Sequence, residues 1–264
     1  ESLSESFWQR AERLTDLRRE EQTQMQEYVS LKSGHMQFLI DALDGDPTEI
    51  SSPDLEPLGE HVSDHMLREA IAFLRRTSVT IEPRKRWPRP GGLPEYRLTG
   101  NIKRELQAEP GKSLSIWGDS GWGTLVRQGK YQDRVLSEDL VDACVILIQD
   151  WDPQPYPLWV TNVPSIRNPA LVADFTERLS EKLELPYRRV LNCTGGSSNR
   201  VPMANSVQRA RNLDGSLTIV SRSVHEGPVL LLDDLVDTGW TMTIGSWLLR
   251  SNGSGPVFPL ALAL

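Results

Sequence analysis

Apolar residues in the first 43 positions recur every third or fourth residue. Trp8, Ala11, Leu14 and Leu17, then Met25, Tyr28, Val29, Met36, Leu39 and Ile40, stand among many Glu, Gln and Arg. At 3.6 residues per turn such positions share one face, so the pattern predicts helix over 1–43. Residues 44–60 are rich in Asp, Ser and Pro and read as loop. A short helix is expected over 66–76, where Leu67, Ala70, Ile71, Phe73 and Leu74 repeat at helical spacing. The stretch 77–112 then turns irregular, full of Pro, Gly and Arg, with a strand-like piece at 78–82. An apolar stripe predicts helix over 136–151, and the prolines of 153–157 read as a hinge.

From residue 158 the pattern alternates. Strands are expected at 158–163, 187–192, 217–222 and 257–264, with a helix at 170–183 carrying Leu171, Phe175, Leu179 and Leu183. The run Val229, Leu230, Leu231 and Leu232 is apolar on consecutive positions, as a strand buried on both faces requires. Strands alternating with helices predict an α/β fold built on a parallel sheet.

That buried strand leads into Asp233, Asp234, Leu235, Val236, Asp237, Thr238, Gly239, Trp240 and Thr241, then an apolar helix at 244–249. In an open α/β sheet, ligands sit beyond the carboxyl ends of the strands. A helix beginning there offers unpaired N–H groups and a positive dipole end to an anion. Gly239 lets the backbone close on a phosphate, and the hydroxyls of Thr238, Thr241 and Thr243 can add donors. Carboxylates at the strand end can accept from the two hydroxyls of a ribose or hold a divalent cation. The combination suits a ribose 5-phosphate.

This run resembles the phosphoribosyl-pyrophosphate (PRPP) motif of type I phosphoribosyltransferases. The resemblance implies that Asp233 and Asp234 face the ribose hydroxyls and that 237–241 wrap the 5-phosphate, Trp240 included. It also implies that Asp237 is the catalytic base toward a purine, as in the salvage enzymes, and that Mg²⁺ accompanies PRPP or a nucleotide. Two further stretches, Val160-Thr-Asn-Val-Pro-Ser-Ile-Arg167 and Asn205-Ser-Val-Gln-Arg-Ala-Arg-Asn-Leu-Asp-Gly215, look like the ComF-type branch. There the first turn corresponds to the pyrophosphate loop, making Ser165 and Arg167 ligands. The second follows a mobile active-site loop and brings Gln208 and Arg209. An Arg fork matches a pyrophosphate well. A helix start at Ser165 and a solvated helix face for Arg209 and Arg211 are the plainer alternatives.

Upstream, Glu20 to Leu43, Ala72-Phe-Leu-Arg-Arg76, Glu82-Pro-Arg-Lys-Arg-Trp87 and Gly118-Asp-Ser-Gly-Trp-Gly123 precede the PRPP motif in that order. Together they resemble the C-terminal region of RecQ-like DNA helicases that end in a phosphoribosyltransferase-like domain. That resemblance implies an accessory DNA-binding and nucleotide-binding region acting in DNA repair or recombination. Family members carry a four-cysteine zinc site in the helical part. Here the first position is Gly34-His35, the loop 48–54 has no Cys, and His61 and His65 stand without a thiolate partner, so no zinc is expected. The sequence has no Gly-x-x-x-x-Gly-Lys-Ser/Thr, so an ATPase motor would lie before residue 1 in a longer protein. The start without Met leads to the same expectation.

Charge adds one feature. The net charge of −7 is uneven: 1–76 holds 16 acids against 8 Lys and Arg, whereas 77–133 holds 6 against 10. In that basic stretch Arg84, Lys85, Arg86 and Arg89 surround Trp87. Such a pattern can follow a phosphate backbone while an aromatic stacks an unpaired base, so these five are the expected contacts to single-stranded or forked DNA. A surface hairpin whose Trp packs on the core is the alternative. No apolar run approaches the roughly 20 residues of a membrane helix. Cys144 and Cys193, the only cysteines, form no Cys-x-x-Cys pair, which suggests a reducing cytoplasm.

Three parts are therefore expected: a helical segment over 1–76, a small basic irregular β or winged-helix-like element over 77–133, and a phosphoribosyltransferase-like domain over 134–264. Against the helicase-accessory reading stands an active Mg²⁺-dependent transferase moving ribose 5-phosphate from PRPP to a nitrogen base.

Overall fold

The computed structural model describes residues 5–46, 62–165, 168–194, 206–220 and 224–264. The chain divides into two compact units, Glu1–His61 and Val62–Leu264. In the first, the expected long helix is two, α1 (Glu5–Ser30) and α2 (His35–Ala42), separated at 31–34. Tyr28 organises the corner, edge-on to His35 at 5.0 Å and tilted on Phe38 at 5.8 Å. His35, at the position of a first zinc ligand, thus has an aromatic neighbour. His61 and the loop 48–54 lie outside the described residues.

The second unit is an α/β fold around a five-stranded mixed sheet in the order β1-β2-β7-β6-β3. Its strands are β1 (Val79–Ile81), β2 (Gly111–Ser115), β3 (Trp159–Asn162), β6 (Val229–Leu235) and β7 (Val257–Ala263). β1 runs antiparallel to β2, and the other neighbours are parallel. Helix α3 (Asp64–Leu74) precedes β1 and is N-capped by Ser63, whose hydroxyl accepts from Met66 N.

Two expectations are corrected here. The basic stretch is no separate winged-helix-like element, because β1 and β2 extend the main sheet. Strand β2 escaped the apolar pattern because its inward residues include Ser113 and Ser115. Both are buried, and their hydroxyls donate to Ser115 O and Leu262 O at 2.9 and 2.7 Å, which removes the cost of burying them. The strand expected at 187–192 forms only at its far end, and outside the main sheet. Tyr187 makes only an isolated bridge to Val160, after which β4 (Leu191–Cys193) pairs antiparallel with β5 (Leu217–Ile219) in a sheet of its own.

The apolar run of β6 is buried on both sides, as its composition requires. Val229 and Leu231 face one core with helix α8 (Trp240–Ser251), β4 and β5, Trp87 and Trp159. Leu230 and Leu232 face the other, formed by α4 (Gly123–Gln128), α5 (Glu138–Trp151) and α6 (Leu171–Lys182). Burying each such aliphatic side chain stabilises the fold by about 1.5–3 kcal/mol. Because β2, β3, β6 and β7 are parallel, their carboxyl ends share one edge, and residues 116–122, 163–165 and 236–239 emerge there. No helix among the described residues is long and apolar enough to cross a membrane.

Candidate functional site

Strand β6 continues through Leu235, two residues beyond the acids. Asp233 and Asp234 are therefore inside the strand, not after its end, and the pleat sends them to opposite faces. Asp233 joins the α8 side and lines a cavity of about 300 Å³. Asp234 turns to the α4 side and meets Lys130, Nζ to Oδ2 2.8 Å, both side chains largely buried. Lys130 comes from a π-helical turn, Gly129–Asp133, directly after α4. The expectation that both acids address one ribose does not survive this geometry: Asp233 alone lines the cavity.

Burial, then the charge of Asp234, holds the Asp233 carboxyl well above the usual carboxylate range. The N–H of Asp234, donating to Asp233 Oδ1 at 2.9 Å, and the nearby Lys130 ammonium work against that rise without overcoming it. At its floor the cavity thus has a carboxyl that holds a proton more readily than an exposed one.

The turn after β6 forms the opposite wall. Asp237, Thr238, Gly239 and Thr241 line the cavity, together with Val236 and Met242. Gly239 takes φ 74°, a left-handed conformation that side chains rarely adopt, and caps α8. The helix starts at Trp240, four residues earlier than its apolar pattern suggests. Among the described residues the amides of Thr238 and Gly239 have no backbone acceptor, leaving them as donors for an anion at a helix N-terminus. The Thr243 hydroxyl donates to Gly239 O at 2.8 Å, so its proton is spent within the helix and Thr243 is removed from the donor set.

Helix α7 (Ser206–Asn212) closes the third side, contributing Arg209 and Asn212. Arg209 Nη1 pairs with Asp237 Oδ2 across the mouth. Asp237 is 61% exposed there. Gln208 is part-buried on the same helix but is not among the lining residues. Cys193, on β4, also lines the cavity and is in no disulfide.

Other expected ligands sit elsewhere. Trp240 is buried, and its indole N–H donates to Ser206 Oγ at 2.9 Å, tying the turn to α7. Its bulk fits because the side chain enters the core instead of the phosphate space. The Ser165 hydroxyl accepts from Asn168 N at 3.2 Å, and α6 starts only at Leu171 with Ala170 as its N-cap, so Ser165 is not at that helix start either. Arg167 lies outside the described residues.

The five expected DNA contacts separate. Lys85, Arg86 and Arg89 are exposed. Trp87 is 5% exposed, edge-on to Trp247 at 6.0 Å, so neither face is open to a base. Arg84 also turns inward: its Nε donates to Thr238 O at 2.9 Å, Nη2 reaches the same oxygen, and the guanidinium lies 4.1 Å above the Trp240 ring. The hairpin beyond it docks on the end of α7. Asp214 accepts from Glu95 N and Tyr96 N, Arg211 donates to Pro90 O, and Tyr96 Oη donates to Leu217 O at 2.7 Å. Burial pushes the Tyr96 phenol up to about 12, so it stays a donor. Hence Arg211 and Asp214, part of the second motif, hold the hairpin in place.

The Gly118–Gly123 motif is a structural loop. Asp119 accepts from the amides of Ile116, Gly121 and Gly123, each at 2.9 Å. A Cβ on Gly123 would stand 2.0 Å from Ile116 O, so no larger residue fits. The loop sets the direction of α4 and, through it, of Lys130. Sequence reasoning missed Lys130 altogether, since nothing local marks a lone Lys as a partner for an acid about 100 residues away. Asn212, the Asn of the Gln-Arg-x-x-Asn segment, lines the cavity.

Neither a known family nor a curated protein matches this sequence. Among solved structures, the adenine phosphoribosyltransferase of Leishmania donovani aligns with 50% of this chain, at 18% identity and a TM-score of 0.33. The chain spans about half of that enzyme, 54% of its length. An overlap so slight says nothing about activity. The site rests on its own geometry.

Proposed function

We propose that this chain binds a ribose 5-phosphate compound, either PRPP or a nucleoside monophosphate, in the cavity between β6, the 236–239 turn and α7. One observation carries the reading: a carboxyl, a glycine-capped helix start, two threonine side chains and an arginine converge on one cavity of about 300 Å³. The phosphate would take the Thr238 and Gly239 amides and the Thr238 and Thr241 hydroxyls, while Asp233 would meet a ribose hydroxyl. Arg209 would exchange Asp237 for the phosphate, an exchange that costs little because exposed ion pairs are weak.

Asp233 and Asp237 supply hard oxygen ligands, the donor class Mg²⁺ prefers, and would hold it with the substrate phosphates and water. Among the described residues no three His, Cys, Asp or Glu side chains gather as a metal cage, in keeping with a cation carried mainly by substrate. When bound, Mg²⁺ would neutralise the pyrophosphate of PRPP.

Transfer of the ribose to a nitrogen base is a second reading, favoured by Asp237 at the cavity wall. An accessory role in a RecQ-like DNA helicase rests on the order of motifs; the inward placement of Arg84 and Trp87 lends it no support, and Lys85, Arg86 and Arg89 remain for DNA contact. Calorimetry of the 264-residue chain with PRPP and Mg²⁺ tests the pocket. Heat that disappears in Thr238→Val and weakens in Asp233→Asn is expected; no heat from the unaltered chain would remove the proposal.

A further inference from the structure

Arg84 belongs by composition to the basic stretch, yet it makes none of the contacts of a solvated cation. Two of its nitrogens address a single acceptor, Thr238 O, and its plane covers Trp240, the first residue of α8. Among the described residues these partners are a carbonyl and an indole face, with no carboxylate. The carbonyl it holds is the one preceding Gly239.

Peptide geometry gives that contact its consequence. The Thr238–Gly239 unit is trans, so Thr238 C=O and Gly239 N–H lie in one plane and point in opposite directions. A guanidinium gripping the oxygen from outside therefore aims the N–H away from itself, on the side where Gly239 lines the cavity. Gly239 at φ 74° leaves the peptide on either side free to rotate. Trp240, held by its indole N–H to Ser206 Oγ, is the platform on which the guanidinium rests.

We infer that Arg84 is a positioning residue of the phosphate turn: it fixes the 238–239 peptide so that Gly239 N–H is presented to the phosphate of a bound ribose 5-phosphate. This rests on the pocket reading above. It assigns a residue 154 positions upstream to the cradle and makes the docked hairpin part of the binding machinery. Lys cannot substitute, because an ammonium is a point donor that neither forks onto one oxygen nor stacks on an indole.

The test is titration of the 264-residue chain with ribose 5-phosphate and with inorganic phosphate, by calorimetry and by following the Gly239 amide resonance. Arg84→Lys, which retains the charge, is expected to weaken ribose 5-phosphate binding about tenfold or more, the scale of one charge-assisted hydrogen bond, and to diminish the phosphate-induced shift of Gly239. Lys103→Met, an exposed cation of the same stretch, should bind as the unaltered chain does. Equal affinity in Arg84→Lys, with binding intact in the unaltered chain, overturns this inference and spares the pocket. No binding by the unaltered chain overturns both. Should Arg84→Lys fail to fold, the Gly239 amide of the unaltered chain decides: a downfield move on phosphate saturation upholds the assignment, and an unmoved resonance overturns it.

Discussion

Lys130 Nζ lies 2.8 Å from Asp234 Oδ2, on the opposite face of β6 from the cavity that Asp233 lines. Adjacent acids in one motif thus have different tasks. Asp234 joins the sheet to the π turn behind it, and Asp233 is left to meet a ligand.

Lys130→Met would strand the Asp234 carboxylate in a largely buried place. Breaking such a pair by removing one partner costs about 3 kcal/mol. Urea unfolding should show that loss, and Lys130→Met combined with Asp234→Asn should recover much of it. A single variant as stable as the parent would mean the pair contributes nothing.

Asp233 makes stability depend on pH. Its folded-state pKa lies above the unfolded one, so the folded form binds the proton more tightly. The stabilisation is fully present at low pH and is lost as pH rises through the folded value. Asp233→Asn cannot ionise and should melt higher than the parent at neutral pH. The gap should close as pH falls below the ordinary carboxylate value of about 4. A melting difference that ignores pH would refute the assignment.

Gly239→Ala separates strain from crowding. A Cβ there would meet Arg84 Nε at 3.8 Å, an ordinary contact, so the penalty comes from the left-handed backbone. A loss of about 1–2 kcal/mol is expected, read as a lower melting temperature, together with weaker ribose 5-phosphate binding. Unchanged melting would show that the turn is not held in this conformation.

Trp87→Ala distinguishes a core residue from a base-stacking one. Removing a buried Trp costs about 3–5 kcal/mol, so thermal melting should fall sharply. Joint replacement of Lys85, Arg86 and Arg89 by Ala should leave melting nearly unchanged. If Trp87→Ala melts normally and loses only single-stranded DNA binding, the packing assignment is wrong.

The local sequence determined the elements whose burial follows a simple period: α5, α6, β3, β6 and β7, and the turn after β6 with its glycine and threonines. Those features depend on neighbours a few residues apart, and an apolar run or a left-handed glycine is visible at that range. Tertiary structure alone decided that the serine-bearing strand β2 enters the sheet, that Asp234 faces Lys130, and that Arg84 and Trp87 turn inward. Each depends on a partner roughly 100 or more residues away, and a cation or an indole has the same local pattern whether it meets solvent, DNA or the protein's own backbone. Only the packed chain supplies the partner, and the partner sets the role.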